Sequence, residues 1–137
     1  FNLELARLYH YLFQKTEQNV TVLYDLKGYD EISLTGTTKA LSRNSERVLT
    51  PADFGVKQLQ ATQISGGSSL ASSAEIFMNI IQNKGTEAQQ NVVCANAGMA
   101  LATALNLSPI EGFEKAKESL LSGKAFIALS TLQNLSK

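Results

Sequence analysis

Residues 20–24, which read VTVLY, are apolar on both faces, and this run constrains the fold more than any other feature of the chain. A strand buried on both faces usually belongs to a sheet that carries helices on each side. A helix, with Asn2 as its candidate cap, is predicted just before the run. Five apolar residues recur there at helical spacing and form one face: Leu5, Leu8, Tyr9, Leu12 and Phe13. Because a helix followed by a strand is half of a β-α-β unit, the sequence predicts an α/β fold.

Strands are predicted in the N-terminal half of the chain and helices in the C-terminal half. Residues 32–35 are predicted as a second strand, and a hairpin is expected around Asn44-Ser45, followed by a helical turn at Thr50-Pro51. Three helices are expected after it, at residues 70–83 with a cap at Gly85, at residues 86–106 and at residues 108–123. A last amphipathic helix is expected to carry Phe126, Leu129, Leu132 and Leu135. We therefore predict part of a helix-covered mixed sheet.

The composition is typical of one globular domain. The chain has 137 residues with 12 basic and 12 acidic side chains, so its formal net charge is zero and predicts no nucleic-acid partner. No apolar run approaches the roughly 20 residues that a membrane span needs. The single cysteine, Cys94, excludes an internal disulfide, and we expect a cytoplasmic protein.

Two adjacent acids, Asp30 and Glu31, follow the apolar run after a short loop that begins at Asp25. In open α/β sheets, ligands collect at the carboxyl ends of strands. Carboxylate oxygens suit a hard divalent cation such as Mg²⁺ beside a phosphorylated substrate. An ordinary solvated acid pair is the other interpretation of these residues, because exposed acids are common.

Residues 28–36, GYDEISLTG, resemble the metal-binding motif of the anthranilate phosphoribosyltransferase family. Other segments resemble the same family in the right order along nearly the whole chain: LARLY at 5–9, LTPADFG at 49–55, NVVCANA at 91–97 and SGKA at 122–125. The chain departs from the family at Ala52, where a Glu is usual, and at residues 66–69, GGSS, where the usual acid is missing.

The resemblance implies the C-terminal portion of the family's α/β catalytic domain for residues 1–137. The N-terminal helical domain, the donor-binding loop and most anthranilate contacts would lie outside the chain. The family transfers phosphoribosyl from phosphoribosyl pyrophosphate to anthranilate in tryptophan biosynthesis. By resemblance, Asp30 and Glu31 are Mg²⁺ ligands, with Glu31 shared between two ions. The reaction requires no enzyme nucleophile, and we assign no catalytic residue.

Three other features are predicted to be structural. The GGSS segment lacks the Lys-Ser/Thr ending of a phosphate-binding loop, so we expect a turn with a serine cap. His10, the single histidine, is expected at the surface, where it has no second histidine to complete a metal site. Cys94 lies in a long apolar helical segment and is expected to be a buried, inert thiol.

Two alternatives remain open. The first is a phosphoribosyltransferase-like protein that binds nucleic acid and has no anthranilate activity, and the second is a nucleoside phosphorylase of similar fold. The chain looks like a fragment, because Phe1 stands one residue before a helical pattern already under way. We expect it to be inactive alone, because the donor loop and the acceptor contacts would lie outside it. We also expect it to form homo-oligomers, because a sheet separated from its neighbours exposes an edge and apolar surface.

Overall fold

The computed structural model describes residues 2–136, which fold into three strands and five α-helices. In chain order they are α1 (Leu3–Phe13), β1 (Thr21–Asp25), β2 (Thr38–Ser42), β3 (Ser45–Leu49), α2 (Leu70–Ile81), α3 (Glu87–Leu105), α4 (Pro109–Leu121) and α5 (Lys124–Leu135). Two short 3₁₀ helices, Pro51–Phe54 and Ala61–Ile64, connect β3 to α2. Strands therefore precede most of the helices, as predicted.

The three strands form one antiparallel sheet in the order β1-β2-β3. The register places Asp25 opposite Thr38 and Thr21 opposite Ser42. Ser42 pairs with Ser45, so the predicted hairpin is confirmed, with a two-residue turn at Arg43-Asn44. Every strand pair in residues 2–136 is antiparallel, and β1 occupies one edge of the sheet.

The strand predicted at residues 32–35 is wrong, because this segment is an irregular part of the loop between β1 and β2. Leu34 has a φ of 59°, which is left-handed backbone that a β-strand cannot contain. Its side chain is nevertheless buried to 1% exposure. The apolar pattern therefore predicted burial correctly, but the backbone is an irregular loop and not a strand.

The cap predicted at Gly85 is also wrong. Helix α2 ends at Ile81, and Asn83 provides the left-handed residue with a φ of 61°. Gly85 is instead a point of close approach, since a Cβ added there would lie 2.8 Å from Cγ1 of Ile80. The glycine at position 85 therefore allows close packing against Ile80 and does not end the helix.

The predicted capping boxes at the starts of α3 and α4 are confirmed. The Thr86 backbone N–H donates to Oε1 of Gln89 at 3.0 Å, while the Gln89 N–H donates to the Thr86 hydroxyl at 3.3 Å. Ser108 and Glu111 repeat this arrangement at the start of α4. These side chains satisfy backbone donors that have no partner within the helix.

Helices α3 and α4 pack against each other through two glycines. A Cβ added at Gly98 would lie 2.6 Å from the backbone nitrogen of Phe113, and a Cβ added at Gly112 would overlap the carbonyl oxygen of Gly98. The backbones therefore touch directly at this crossing. Around it, one hydrophobic core joins the sheet, the loop after β1 and both helices: Ile32, Leu34, Ala40, Leu49, Phe54, Leu59, Ala88, Cys94, Ala95, Phe113, Ala116 and Leu120.

Helix α1 leaves most of its apolar face uncovered in the described part of the chain. Ala6 is its one buried residue, whereas Leu8 and Leu12 are each 54% exposed and Tyr9 is 43% exposed. Strand β1 is half-buried along most of its length and becomes fully buried at Asp25. The predicted helix is confirmed, but of the five residues of the predicted apolar face only Phe13 is half-buried, and the one buried residue, Ala6, lies outside that face.

Replacing Gly112 with Ala is expected to lower the free energy of unfolding by about 2 kcal/mol, because the added methyl group meets backbone that cannot move aside. Chemical denaturation measures the change. The matched control is Gly66→Ala, since a Cβ at Gly66 meets nothing within 4 Å. We expect that control to stay within about 0.5 kcal/mol of the parent. Equal stability of the two variants would contradict the close helix crossing.

Candidate functional site

Asp30 and Glu31 lie side by side on the surface of the loop that joins β1 to β2. Both are exposed, and neither forms a hydrogen bond or ion pair with any residue between 2 and 136. The residues that follow them are part of the core, with Ile32 at 3% exposure and Leu34 at 1%. Burial of such a side chain contributes about 1.5–3 kcal/mol, so these two anchor the loop below the acids.

A third carboxylate, that of Asp25, lies fully buried at the end of β1 and at the base of this loop. Its Oδ1 accepts from the Lys27 N–H at 2.7 Å. Its Oδ2 accepts from the Ser33 N–H at 3.2 Å, the Ser33 hydroxyl at 2.8 Å and the Thr38 hydroxyl at 3.2 Å. All four partners are donors, so the buried carboxylate is satisfied inside the protein.

The bonds of Asp25 bring the two ends of the loop together. Lys27 lies before the acid pair and Ser33 lies after it, yet the backbone N–H groups of both donate to the same carboxylate. Gly28 takes a φ of 87° in this turn, and its N–H donates to the Asp25 carbonyl at 3.2 Å. Across the base of the loop, the Leu26 N–H donates to the Thr37 carbonyl at 2.9 Å. The loop is therefore a closed structure with the acids at its outer surface.

Asn96 of α3 binds the peptide groups directly after the acid pair. Its Oδ1 accepts from the Ile32 N–H at 2.9 Å, and its Nδ2 donates to the Ile32 carbonyl at 2.8 Å. The same amide also donates to the Val92 carbonyl of its own helix at 3.0 Å. Asn96 thus connects the central helix to the loop across 64 residues of sequence.

Sequence reasoning missed Asn96 and assigned Asp25 only to the loop. One signal was available for Asn96, which interrupts residues 92–105 of α3, a stretch that otherwise carries small and apolar side chains. Asn is disfavoured in helix interiors because its side chain competes for backbone groups. A partner outside the helix is therefore expected for such a residue, although the sequence does not identify that partner.

The acid pair fits a hard divalent cation, as far as this chain supplies ligands. Two free carboxylates offer oxygen donors of the kind that Mg²⁺ prefers, and Mg²⁺ normally keeps several water or phosphate ligands. No group of three or more His, Cys, Asp or Glu side chains converges anywhere in residues 2–136. For a cation at this pair, the chain alone would supply only part of the coordination shell, and water or a phosphorylated ligand would complete it.

The other candidate residues have structural roles. Ser69 caps α2, with its hydroxyl accepting from the Ser72 N–H at 3.2 Å, as the serine-cap prediction requires. His10 is half-buried, not fully at the surface, and its Nε2 lies 2.9 Å from the side-chain nitrogen of Gln14. Cys94 is 2% exposed, and burial raises the pKa of its thiol. The prediction of a buried cysteine is confirmed.

Two clefts of the described chain lie away from the acid pair. One, of about 480 Å³, lies beside β1, the β2-β3 hairpin and the end of α3, and includes Arg43 and Arg47. The other, of about 940 Å³, lies between residues 55–65, the start of α3 and the middle of α4. Neither is lined by Asp30 or Glu31, so the acids stand on an open surface of this chain.

The sequence matches the family described as "Glycosyl transferase family, a/b domain" over residues 1–126. The chain belongs to this family. Its relatives include anthranilate phosphoribosyltransferases from Christiangramia forsetii, 62% identical over 137 residues, and from Flavobacterium psychrophilum, 60% identical over 136 residues. The alignments cover 100% and 99% of this chain but 41% of each relative. The resemblance found in the sequence is thereby confirmed, and the chain spans less than half of the relatives' length.

Solved structures show the same fold. Anthranilate phosphoribosyltransferase from Saccharomyces cerevisiae in complex with PRPP and Mg matches with a TM-score of 0.79 and 20% identity, over 95% of this chain and 38% of that one. The enzyme from Thermus thermophilus matches with a TM-score of 0.71 and 25% identity, over 81% of this chain and 33% of that one. The α/β class is therefore confirmed for this glycosyl transferase family member.

Length and apolar composition single out no individual helix in residues 2–136 as a membrane span. Helices α3 and α4 meet these criteria only when taken together, as a pair bent by 118°.

Cys94 is expected to react with a thiol reagent at pH 8 on the order of 100-fold more slowly in the native chain than in guanidinium, because burial both shields the sulfur and raises the pKa of the thiol. Absorbance of the released thiolate gives the rate. The matched control places a cysteine at exposed Ala97 of the same helix in a Cys94→Ala background. Comparable native rates at the two positions would contradict the burial.

Proposed function

We propose that this chain supplies the metal-binding side of a Mg²⁺-dependent anthranilate phosphoribosyltransferase active site. Asp30 and Glu31 would hold Mg²⁺ that is bound with phosphoribosyl pyrophosphate, and anthranilate would accept the phosphoribosyl group. The observation that carries the proposal is the pair of exposed, unpartnered carboxylates on a loop fixed from below. The names of the relatives and the bound PRPP and Mg of the yeast enzyme support it.

In the proposed phosphoribosyl transfer, these residues contribute by stabilising charge and by positioning the donor. Displacement at the anomeric carbon of the ribose builds negative charge on the departing pyrophosphate, and Mg²⁺ supplies the compensating positive charge when it is bound. Asp30 and Glu31 act as anionic oxygen ligands, which orient the donor by holding its cation in a fixed place. Neither residue transfers a proton in this scheme.

The chain needs no nucleophile for this reaction, since the amino group of the acceptor attacks the sugar. Cys94 is unsuited to such a role because its sulfur is buried in the core. The remaining requirements, namely contacts to the pyrophosphate and to anthranilate, are assigned to protein outside this chain. We therefore propose that residues 1–137 represent the C-terminal portion of the α/β catalytic domain, in a cytoplasmic enzyme, and that they have no activity alone.

The two alternatives make different predictions for the complete protein. Binding of DNA that weakens steeply with added salt would favour the nucleic-acid-binding alternative. Phosphorolysis of a nucleoside without any requirement for Mg²⁺ would favour the phosphorylase alternative. No feature of the acid-bearing loop favours either one, so we retain the transferase as the proposal.

Self-association is a second proposal, supported by the uncovered face of α1 and the edge position of β1. Apolar side chains on that face favour contact with a second protein surface, and a copy of this chain is the simplest one to test. Analytical ultracentrifugation of the chain is expected to show a concentration-dependent increase in mass. A single monomeric species at all concentrations would contradict it.

A complete enzyme for activity measurements is obtained by replacing the matched segment of the Christiangramia forsetii relative with this chain; we refer to it as the chimeric enzyme. Asp30→Asn and Glu31→Gln are each expected to reduce its kcat/KM at least on the order of 100-fold, because each removes an anionic metal ligand. Formation of phosphoribosyl anthranilate, followed by loss of anthranilate fluorescence, measures the rate.

The matched control is Glu17→Gln, which neutralises another exposed acid that has no partner in the described chain. We expect this variant to keep full activity. If Asp30→Asn and Glu31→Gln also keep full activity, the proposed metal role is wrong. The unmodified 137-residue chain is the second control, and measurable turnover by that chain alone would contradict its assignment as one part of the site.

A further inference from the structure

The acid pair is followed by two consecutive peptide groups whose N–H donors are both bound by side chains. The Ile32 N–H donates to Asn96 at 2.9 Å, and the Ser33 N–H donates to Asp25 at 3.2 Å. In the sheet, backbone N–H groups donate to a neighbouring strand, but residues 32–35 form no strand, and Leu34 has a left-handed backbone conformation. The side chains of Asn96 and Asp25 therefore accept these two hydrogen bonds.

We infer that Asn96 and Asp25 are positioning residues for the metal site, which act by fixing the backbone on which Asp30 and Glu31 stand. This inference rests on the proposed function of the acid pair. The peptide between Glu31 and Ile32 carries the N–H bound by Asn96, so this amide restrains the direction in which the Glu31 side chain leaves the backbone. Asn96 also donates to the Ile32 carbonyl at 2.8 Å, which fixes the next peptide as well.

Asp25 restrains the same loop from its other side. Its carboxylate binds the Lys27 N–H before the acids and the Ser33 N–H after them, so the two flanks of the pair share one anchor. The Ser33 hydroxyl extends this network, since it lies 2.8 Å from the Thr35 hydroxyl and accepts from the Thr35 N–H at 3.1 Å. Asp25 is buried and Asn96 is half-buried, and the side-chain oxygens of both already accept hydrogen bonds from protein groups.

A fixed pair of carboxylates binds a cation more tightly than a mobile pair, because less conformational freedom is lost on binding. Mg²⁺ has strict geometric demands, which makes its affinity sensitive to small displacements of its ligands. Residues that orient metal ligands through hydrogen bonds typically change metal affinity by about 10- to 100-fold when they are removed. We therefore expect the loss of either anchor to appear as weaker metal binding and not as a loss of the chemical step.

The test uses the chimeric enzyme with Asn96→Ala and, separately, Asp25→Asn, which keeps the size of the side chain but replaces one accepting oxygen with a donor. Two readouts are measured for each: the dissociation constant for Mn²⁺ alone, from the loss of its free electron-spin-resonance signal, and the Mg²⁺ concentration that gives half of the maximal rate. Both quantities are expected to rise by about tenfold, while kcat at saturating Mg²⁺ stays within about threefold of the parent.

The matched control is Thr103→Val, on the same helix. Thr103 is half-buried like Asn96 and also joins α3 to the sheet side of the molecule, with its hydroxyl 2.8 Å from that of Thr21. It forms no hydrogen bond with the acid-bearing loop in the described chain. We expect Thr103→Val to leave both metal readouts unchanged. If it shifts them as much as Asn96→Ala does, general loosening explains the effect and the inference is overturned.

The remaining outcomes separate this inference from the function on which it rests. If Asp30→Asn weakens Mn²⁺ binding but Asn96→Ala and Asp25→Asn leave both readouts unchanged, the positioning role is wrong and the proposed function stands. If Asp30→Asn and Glu31→Gln leave Mn²⁺ binding unchanged, both proposals are wrong. Should Asn96→Ala fail to fold, Asn96→Asp replaces it, since that variant keeps an oxygen facing the Ile32 N–H and loses the donation to the Ile32 carbonyl. It must raise both readouts for the inference to survive.

Discussion

The buried carboxylate of Asp25 is the interaction on which the candidate site depends. A charged group removed from water is costly unless the protein supplies hydrogen-bond donors in place of the lost water. Here the donors are the Lys27 N–H, the Ser33 N–H and two hydroxyl groups; three of these four belong to the loop, and the fourth belongs to Thr38, the strand residue that closes it. The loop therefore cannot open without leaving a buried carboxylate short of partners. The shape that presents Asp30 and Glu31 is a consequence of satisfying Asp25.

Much of the fold was predictable from sequence because its signals are local. Caps such as Thr86 and Ser108 mark helix starts through bonds made within four residues, and the hairpin is defined by its own two-residue turn. The errors arose where distant contacts decide the backbone. Residues 32–35 are apolar enough for a strand, but Asn96 and Asp25 bind their peptide groups, and Leu34 takes a left-handed conformation. Gly85 was interpreted as a helix cap, although the side chain of Ile80 is what requires a glycine there.

The candidate site likewise contains residues that the local sequence predicts and residues that only tertiary contacts define. Asp30 and Glu31 could be selected from sequence because two adjacent acids after a strand are visible in one dimension, and the family resemblance gave them a chemical role. Their supports could not be selected, because Asn96 is 64 residues from Ile32 in the chain and only folding brings the two together. Side chains that present functional groups tend to leave local sequence signals, whereas side chains that hold them in place are defined by tertiary contacts. In the sequence, the contact between Asn96 and Ile32 is indicated only by the presence of Asn96 among the small and apolar residues 92–105.

The hydrogen bonds that hold the acid-bearing loop lie within this chain, whereas the apolar surface of α1 is left uncovered by it. The loop is held by Asp25, by Asn96 and by the core side chains Ile32 and Leu34, all of which lie in the described residues. Helix α1, by contrast, leaves leucines more than half exposed, and β1 lies at the edge of the sheet. The arrangement of the two proposed metal ligands is thus fixed within this segment, whereas the proposed contacts to a sugar donor and an acceptor are assigned to protein outside it. The carboxylate arrangement is therefore built within this chain, since the hydrogen bonds that hold the loop connect residues between 25 and 96.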